Sequence, residues 1–571
     1  MDKKFFVHPQ ESWQRRYEAL RASFVDRLPA SVVAERFGFS PSYVYLLRHQ
    51  FRKGLLTFGE PPPVGQPVRR RVTQPMRGQI REGRERGLSA GDIAEWLEGD
   101  GIELSVRTIE RVLREEGFPK LPRRTQLKAG VTRQGALVPQ KARRLEVGAG
   151  AGQTLSCDHA GVFLFLPWIE QLGLPGLAAQ AGLPGTKQIP ARSYFLSFLG
   201  LKLLGNERLS HVGDHSFDQG MGVWAGLNVL PKCTALSTYA YALDSGRLDA
   251  FREAFFRACH KRRLYGEEVI NLDFHTVPHY GEESVLETHW AGARGKSLKS
   301  ALTLFAQDAS SKLVVYADAD LRRAETDDAV LDFVAFYRKM RRTLPGTLVF
   351  DSRFTSYENL AELDRLGCRF ITLRRRGVRL VEHAAALTDW RRIHVPHAQR
   401  KFPNPLVHEA YVPLPPFPRP IRQVIMKGTG REQPTFLISN DDDRPVDLLV
   451  GDYARRGRVE NYIAEAVKFF HLNALSSPIL VKVHFDVLLT VVADTLYYLL
   501  AQHLRGFEEC DAPRIFRHFI QGKGTVQITD TEIVVTYPRR AHNPLLRNVP
   551  WHRLPQHVSW LENRKLTFRF L

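Results

Sequence analysis

The chain has 571 residues, and its 81 Lys and Arg outnumber 61 Asp and Glu to give a net charge of +20. Its 43% apolar and 25% charged content are those of folded globular domains and exclude disorder as the main state, a collagen-like repeat and a disulfide-stapled scaffold. The length predicts roughly three to five domains or subdomains, and the charge points to a polyanion, nucleic acid or an acidic membrane surface.

Cys157, Cys233, Cys259, Cys368 and Cys510 are scattered and form no C-x-x-C, which fits a reducing cytoplasm. Met1-Asp-Lys-Lys and the short apolar run after it do not read as a signal peptide. Residues 1–147 carry +11 of the net charge, and Pro119 to Leu145 holds eight Lys or Arg and no acid. Such a run is either a solvated linker or a track for a DNA backbone.

From Pro29 to Arg52 the sequence predicts a helix-turn-helix. Ala34 is small where two helices approach, Gly38 can take the left-handed turn, Ser40 caps the second helix and Pro41 opens it. Val33, Phe37, Phe39, Val44 and Leu47 fall at core positions, leaving Ser42, Tyr43, Tyr45 and Arg48 outward as DNA contacts. An ordinary helical hairpin is the alternative.

After the Pro-rich linker at Gly59 to Pro67, a second module begins near Leu88 with Ser89 as cap. Gly99 to Gly101 breaks its helix, and Ser105 caps another with Ile109, Val112 and Leu113 on one face. Arg107, Arg111 and Arg114 are left for phosphate or base contacts. From Cys157 to about Ala250 the pattern is mostly helical, without a catalytic constellation. Phe163, Phe165, Trp168, Tyr194, Phe195 and Phe198 read as core.

Three acids follow in distinct settings. Asp273 sits inside the β-prone run Val269 to Phe274, where a carboxylate is costly unless it binds metal or is well hydrogen-bonded. Ser300 to Ala317 reads as a hairpin turning at Asp308 to Lys312, so that three adjacent strands begin an RNase H-like sheet. A buried strand, Leu348 to Phe350, delivers Asp351 to its carboxyl end, where open α/β sheets place ligands. A plain cap for the following loop is the alternative for Asp351. A helix from about Ser356 and a strand near Phe370 come next. Further on, Tyr453, Arg456 and Glu460 share one helix face at about 100° per residue, although Gly457 weakens the first turn. Val459, Ile463, Val467 and Phe470 line the opposite side, and Glu465 points elsewhere.

The three acids and the Tyr-x-x-Arg-x-x-x-Glu spacing of Tyr453, Arg456 and Glu460 resemble the DDE transposases of bacterial insertion sequences. The likeness is to the subgroup with a β-rich insertion between the second Asp and the Glu, and it spans about 150–540. The family's Lys falls at Val467, and Lys468 stands one residue later, about 100° around the helix. The tandem N-terminal modules and the helical segment before the acids also resemble parts of such enzymes.

The resemblance implies a multidomain chain: all-α helix-turn-helix modules, then an α/β RNase H-like catalytic core with an inserted β-rich subdomain. The expected divisions are 1–60 helix-turn-helix, 61–76 linker, 77–126 a second helix-turn-helix or winged-helix-like module, and 127–152 a basic linker. There follow 153–255 helical, 265–376 the first part of the core, 377–440 the insertion, 441–505 the rest of the core with the Glu helix, and 506–571 a small C-terminal segment. It further implies cut-and-paste transposition with Asp273, Asp351 and Glu460 holding two Mg²⁺ ions (Mn²⁺ as substitute), and Tyr453, Arg456 and Lys468 contacting DNA. Double-stranded DNA, as terminal inverted repeats and target, is the expected partner of a homodimer in a bacterial cytoplasm, associated with the nucleoid. A DNA-binding regulator derived from a transposase and a structure-specific nuclease are the alternatives.

Other features carry less. His275, His279 and His289 beside Asp273 lack the helical spacing of a zinc hydrolase. Lys427-Gly-Thr-Gly is a hairpin turn, and Asp441 to Asp443 reads as a solvated loop. The apolar stretch Ile479 to Leu504 contains Lys482, His484, Asp486 and Asp494 and reads as a buried helix, with no membrane involved.

Overall fold

A computed structural model describes residues 12–54, 56, 72–86, 88–118, 140–147, 152–280, 286–292, 295–352, 354–395, 403–474 and 479–571. The chain divides into two units, Met1–Ala136 and Leu137–Leu571.

In the first unit α1 (Ser12–Phe24), α2 (Ala30–Phe37) and α3 (Pro41–Arg52) close around Ala19, Ala22, Val33, Ala34, Phe37 and Val44. Gly38 takes φ +67° in the turn, a conformation open to glycine at little cost. Ser40 accepts the Tyr43 amide proton at 3.2 Å and Pro41 starts α3.

A second trio, α4 (Gln74–Glu85), α5 (Ala90–Gly99) and α6 (Val106–Glu115), packs on Ile80, Ile93, Leu97, Ile109, Val112 and Leu113. α4 starts inside the stretch expected as linker, because Ile80 is needed to close the core. No strand occurs among the described residues of 72–118, so the winged-helix-like alternative finds no wing there. Ser89 and Asp92 form a reciprocal cap on α5, at 3.2 Å and 2.8 Å. Replacing Ser89 by Ala is expected to cost about 1 kcal/mol, read as a lowered thermal midpoint of this module.

The second unit begins earlier than the expected basic linker allows. Arg143 N–H donates to Asn228 Oδ1 at 2.8 Å, Leu145 N–H to Gly226 C=O at 3.1 Å, and Val147 is buried. The remainder of that basic run, 119–139, lies outside the described residues.

β1 (Thr154–Cys157) precedes α7 (Leu166–Leu172), α8 (Leu174–Gln180), α9 (Ala191–Leu203), α10 (Gln219–Trp224), α11 (Cys233–Tyr239) and α12 (Ser245–Lys261). The six aromatic residues expected as core here are all buried. This segment is nevertheless not a separate helical piece, because its hydrophobic core is continuous with that of the strands that follow.

Those strands are β2 (Val269–Pro278), β3 (Thr288–Ala291), β4 (Lys296–Asp308) and β5 (Val314–Leu321), then β6 (Thr347–Phe350) after α13 (Ala329–Arg341), and β7 (Phe370–Leu373) after α14 (Tyr357–Arg365). In the sheet β5, β4, β2, β6 and β7 lie side by side. β4 is antiparallel to β2 and β5, whereas β6 and β7 run parallel to β2. Every residue of β6 is buried, as parallel strands covered on both faces require. At Gly346, just before β6, a Cβ would lie 2.2 Å from the Glu268 carbonyl oxygen, so only glycine lets the strand enter beside β2.

Beyond β7 come α15 (Val378–Ala386), β8 (Arg391–Arg392), β9 (Leu406–Val412), β10 (Ile421–Lys427) and β11 (Thr435–Ser439). β11 pairs antiparallel with β7, and β10, β9 and β8 follow it. The stretch expected as an inserted subdomain therefore extends the main sheet instead of standing apart. Asp441 after it is buried rather than solvated, because its carboxylate accepts the Arg444 amide proton within the turn.

The chain continues through α16 (Val446–Arg455), α17 (Gly457–Lys468) and α18 (Leu480–Ala501). α18 is the apolar helix, with 83% of its most apolar window buried inside the protein. Lys202 on α9 reaches it at Asp486, 2.7 Å away, and also donates to the Phe470 carbonyl at 2.7 Å. The C-terminal residues are more than a small appendage. β12 (Gly524–Ile528), β13 (Glu532–Tyr537), β14 (His557–Val558) and β15 (Arg564–Phe570) join β1 in a five-stranded sheet ordered β1, β12, β13, β15, β14.

Candidate active site

β2 is fully buried from Val269 to Leu272 and half-buried from Asp273 to Thr276, so Asp273 is where the strand first meets solvent. β6 pairs with β2 in parallel through Asn271 and Val349. Two residues beyond that pair stand Asp273 on one strand and Asp351 just past the other. Each carboxylate accepts the amide proton of the next residue, Phe274 at 3.0 Å and Ser352 at 2.6 Å.

Glu460 arrives from α17. The single helix expected around it divides at Arg456, yet that residue keeps φ −53° and ψ −35°, close enough to helical for the shared face to persist. The Arg456 guanidinium pairs with Glu460 at 2.5 Å and lies 3.8 Å from Asp273. Burial, with Glu460 and Asp351 adding to it, pushes the Asp273 carboxyl up to about 6, against the pull of Arg456 and the Phe274 amide. Burial lowers the Arg456 guanidinium, but Tyr453, Glu460, Asp273 and Asp351 together raise it above its ordinary value. Tyr453 is pushed up to about 12 by burial, opposed by Arg456 and reinforced by Asp351.

Tyr453, Arg456, Asp273, Asp351 and Glu460 thus form one electrostatic group. Three carboxylates face a single guanidinium there, a set of hard oxygen donors short of positive charge. Among the described residues these three acids are not a group whose donor atoms all lie within 4.8 Å of one another.

Lys468 is exposed and makes no ion pair with a described residue. It lies about 12 Å along the helix from Glu460 and about 80° around it. Glu465 does point elsewhere: it accepts the Ala512 amide proton at 2.7 Å, and burial together with Asp511 raises its carboxyl. Burial and Glu465 also push Asp494 on α18 well up. A cleft of about 1230 Å³ runs past Tyr453, Arg456 and Glu460 to Glu465 and Asp494.

In the first unit Ser42 and Tyr45 are exposed as expected. Tyr43 is half-buried against Phe39, with ring centroids 5.1 Å apart. Arg48 departs from the outward reading, because its Nη2 donates to the Leu28 carbonyl at 2.9 Å and ties α3 to the connection between α1 and α2. Arg107, Arg111 and Arg114 are exposed, Arg111 pairing with Glu115 at 3.1 Å.

Sequence reasoning passed over Arg374, Arg375 and Arg376 at the carboxyl end of β7, although three successive arginines after a strand were a readable signal. Arg375 Nε donates to the carbonyl of Ser352, next to Asp351, at 3.3 Å. It also passed over His159, His215 and Asp218, whose donor atoms lie within 4.8 Å of one another, in the segment expected to carry no constellation. Two of the histidines near Asp273 have other partners: His275 bonds Asn473 at 2.8 Å and His289 approaches Glu287 at 3.7 Å.

No protein-family model and no curated protein matches the chain.

Proposed function

We propose that the chain is the DNA transposase of an insertion sequence, binding the terminal inverted repeats of its element and cutting and joining DNA by a metal-dependent DDE mechanism. The observation that carries this reading is the level placement of Asp273 on β2 and Asp351 just past the neighbouring parallel β6, with Glu460 tied to Asp273 through Arg456. The strand order β5, β4, β2, β6, β7 and its directions support an RNase H-like core.

The donor set fits a hard divalent cation such as Mg²⁺ or Mn²⁺, since three carboxylates have one guanidinium between them. Asp273, Asp351 and Glu460 would hold the ions. Bound there, they would supply stabilisation of the attacking and leaving oxygens in a displacement at phosphorus. Tyr453 and Arg456 orient the scissile phosphate, Arg456 exchanging its carboxylate partners for phosphate oxygens. Arg374, Arg375 and Arg376 extend the positive edge along the DNA backbone, and Lys468 serves duplex beyond the reacting phosphate.

The two N-terminal trios supply recognition as helix-turn-helix modules, with α3 and α6 as reading helices. Their exposed Ser42, Tyr45, Arg107, Arg111 and Arg114 face DNA, together with Tyr43. The Arg111–Glu115 pair is exposed and weak, so it yields readily to a phosphate. Replacing Arg107, Arg111 and Arg114 by Ala is expected to flatten the dependence of log K on log salt, by about 0.9 for each phosphate no longer neutralised. A salt titration of end binding measures that slope. The working form is a homodimer holding both ends.

Incubating the protein with DNA carrying the inverted repeats that flank its coding region, in Mg²⁺, tests the whole reading. Excised ends joined to a target are the expected product. Cutting without joining would mark a nuclease, and binding without either a regulator.

A further inference from the structure

His159, His215 and Asp218 lie apart from the acid group. His159 follows β1 and bridges through its backbone to Gly522, ahead of β12. His215 ends a short 3₁₀ turn from Leu209, and Asp218 caps α10. His215 and Asp218 are each 6% exposed, and the two imidazoles meet edge to face at 5.5 Å.

Packing alone leaves this arrangement unexplained. His159 Nδ1 is buried without a hydrogen-bond partner among the described residues, which is costly for a nitrogen that must donate or accept. Asn206 Nδ2 lies 2.9 Å from His215 Nε2. Ligation through His215 Nδ1 requires the flipped amide, whose oxygen then accepts Nε2–H and leaves the Nδ1 lone pair free. Asp218 accepts the amide protons of Asp158 and Met221, both at 2.9 Å and one on each oxygen, so each oxygen retains a lone pair. The Cys157 thiol adjoins the same carboxylate.

We propose that His159, His215 and Asp218 form a binding site for one transition-metal ion of the zinc class. Two imidazoles and a carboxylate suit Zn²⁺ or Co²⁺, with water in the fourth position, and do not suit Mg²⁺ or Ca²⁺, which take all-oxygen shells. The ion fastens the end of β1 and the 206–218 loop to the C-terminal sheet, where Lys523 already reaches Asp158 at 3.2 Å.

The test uses the full chain, freed of metal by chelator and titrated with Zn²⁺ and with Co²⁺. One equivalent of Zn²⁺ per chain is expected, with a rise in thermal midpoint that millimolar Mg²⁺ does not reproduce. Co²⁺ should give the visible absorption of a tetrahedral site. The variants His159→Gln and His215→Asn should bind Zn²⁺ at least about 100-fold more weakly. Absence of stoichiometric Zn²⁺ and of the Co²⁺ bands in the wild-type chain would overturn the proposal, whether or not the variants fold. So would retention of a full equivalent by the folded double variant.

Discussion

Asp273→Asn, Asp351→Asn and Glu460→Gln are each expected to reduce cleavage of the element's ends by about 10³-fold or more while end binding stays within a factor of about two. Each amide keeps the shape of the side chain and removes the charge a divalent cation needs. Asp273 lies within β2 and Asp351 just past the end of β6, both held in the hydrogen-bonded sheet, so the loss reflects chemistry rather than a shifted backbone. Glu460 contributes an exposed pair with Arg456, worth under about 1 kcal/mol to the fold. Binding is expected to rest on the N-terminal modules, which have cores of their own. Glu465→Gln is the control: that carboxylate faces Ala512 and Asp494, and cleavage should survive. Labelled ends incubated with Mg²⁺, beside a gel-shift assay, give both readings. Undiminished cleavage by any one of the three acid variants removes that residue from the site.

What was legible in the sequence was local. Ser40 with Pro41, Ser89 and Ser105 mark helix starts because a cap is made within four residues. The strand before Asp351 and the cap at Ser356 announce themselves in the same way. α1 and α4 went unread because their apolar faces are thin: α1 buries Ala19, Leu20 and Ala22 beside Gln14, Glu18 and Ser23, and α4 buries Ile80 beside a glycine. Pairing was legible where the Asp273 strand and the hairpin after it lie adjacent, but not between more distant strands. That β11 would add to β7, and β1 to β12, depends on edges brought together late in the chain. The candidate acids were readable as types in settings, but the level register of Asp273 with Asp351, and Arg456 between the carboxylates, belong to the folded sheet. His159, His215 and Asp218 had no spacing signature, since their approach is made by loops folding back onto β1.

The raised carboxyl of Asp273 makes stability depend on pH and on cation. Its value moves from an ordinary 3.8 to about 6 on folding, so between those values the folded chain binds more protons than the unfolded one. Stability therefore falls as pH rises from about 4 to about 6 and stays lower above, by up to about 3 kcal/mol for two pH units at about 1.4 kcal/mol each. Asp273→Asn removes that charge and is expected to be more stable than the wild-type chain at pH 8 without divalent cation, with the difference vanishing below about pH 4. Mg²⁺ should reverse the order at pH 8, because a cation beside Asp273 offsets the burial of its charge only where a charge is present. At pH 5, where Asp273 is mostly protonated, Mg²⁺ should do little. Denaturant titrations of both chains at pH 4, 5 and 8, with and without Mg²⁺, read all of these. Equal stabilisation of the wild-type chain by Mg²⁺ at pH 5 and pH 8 would separate Asp273 from the cation. A divalent cation beside these carboxylates would offset the same charge deficit that makes the group expensive to fold alone.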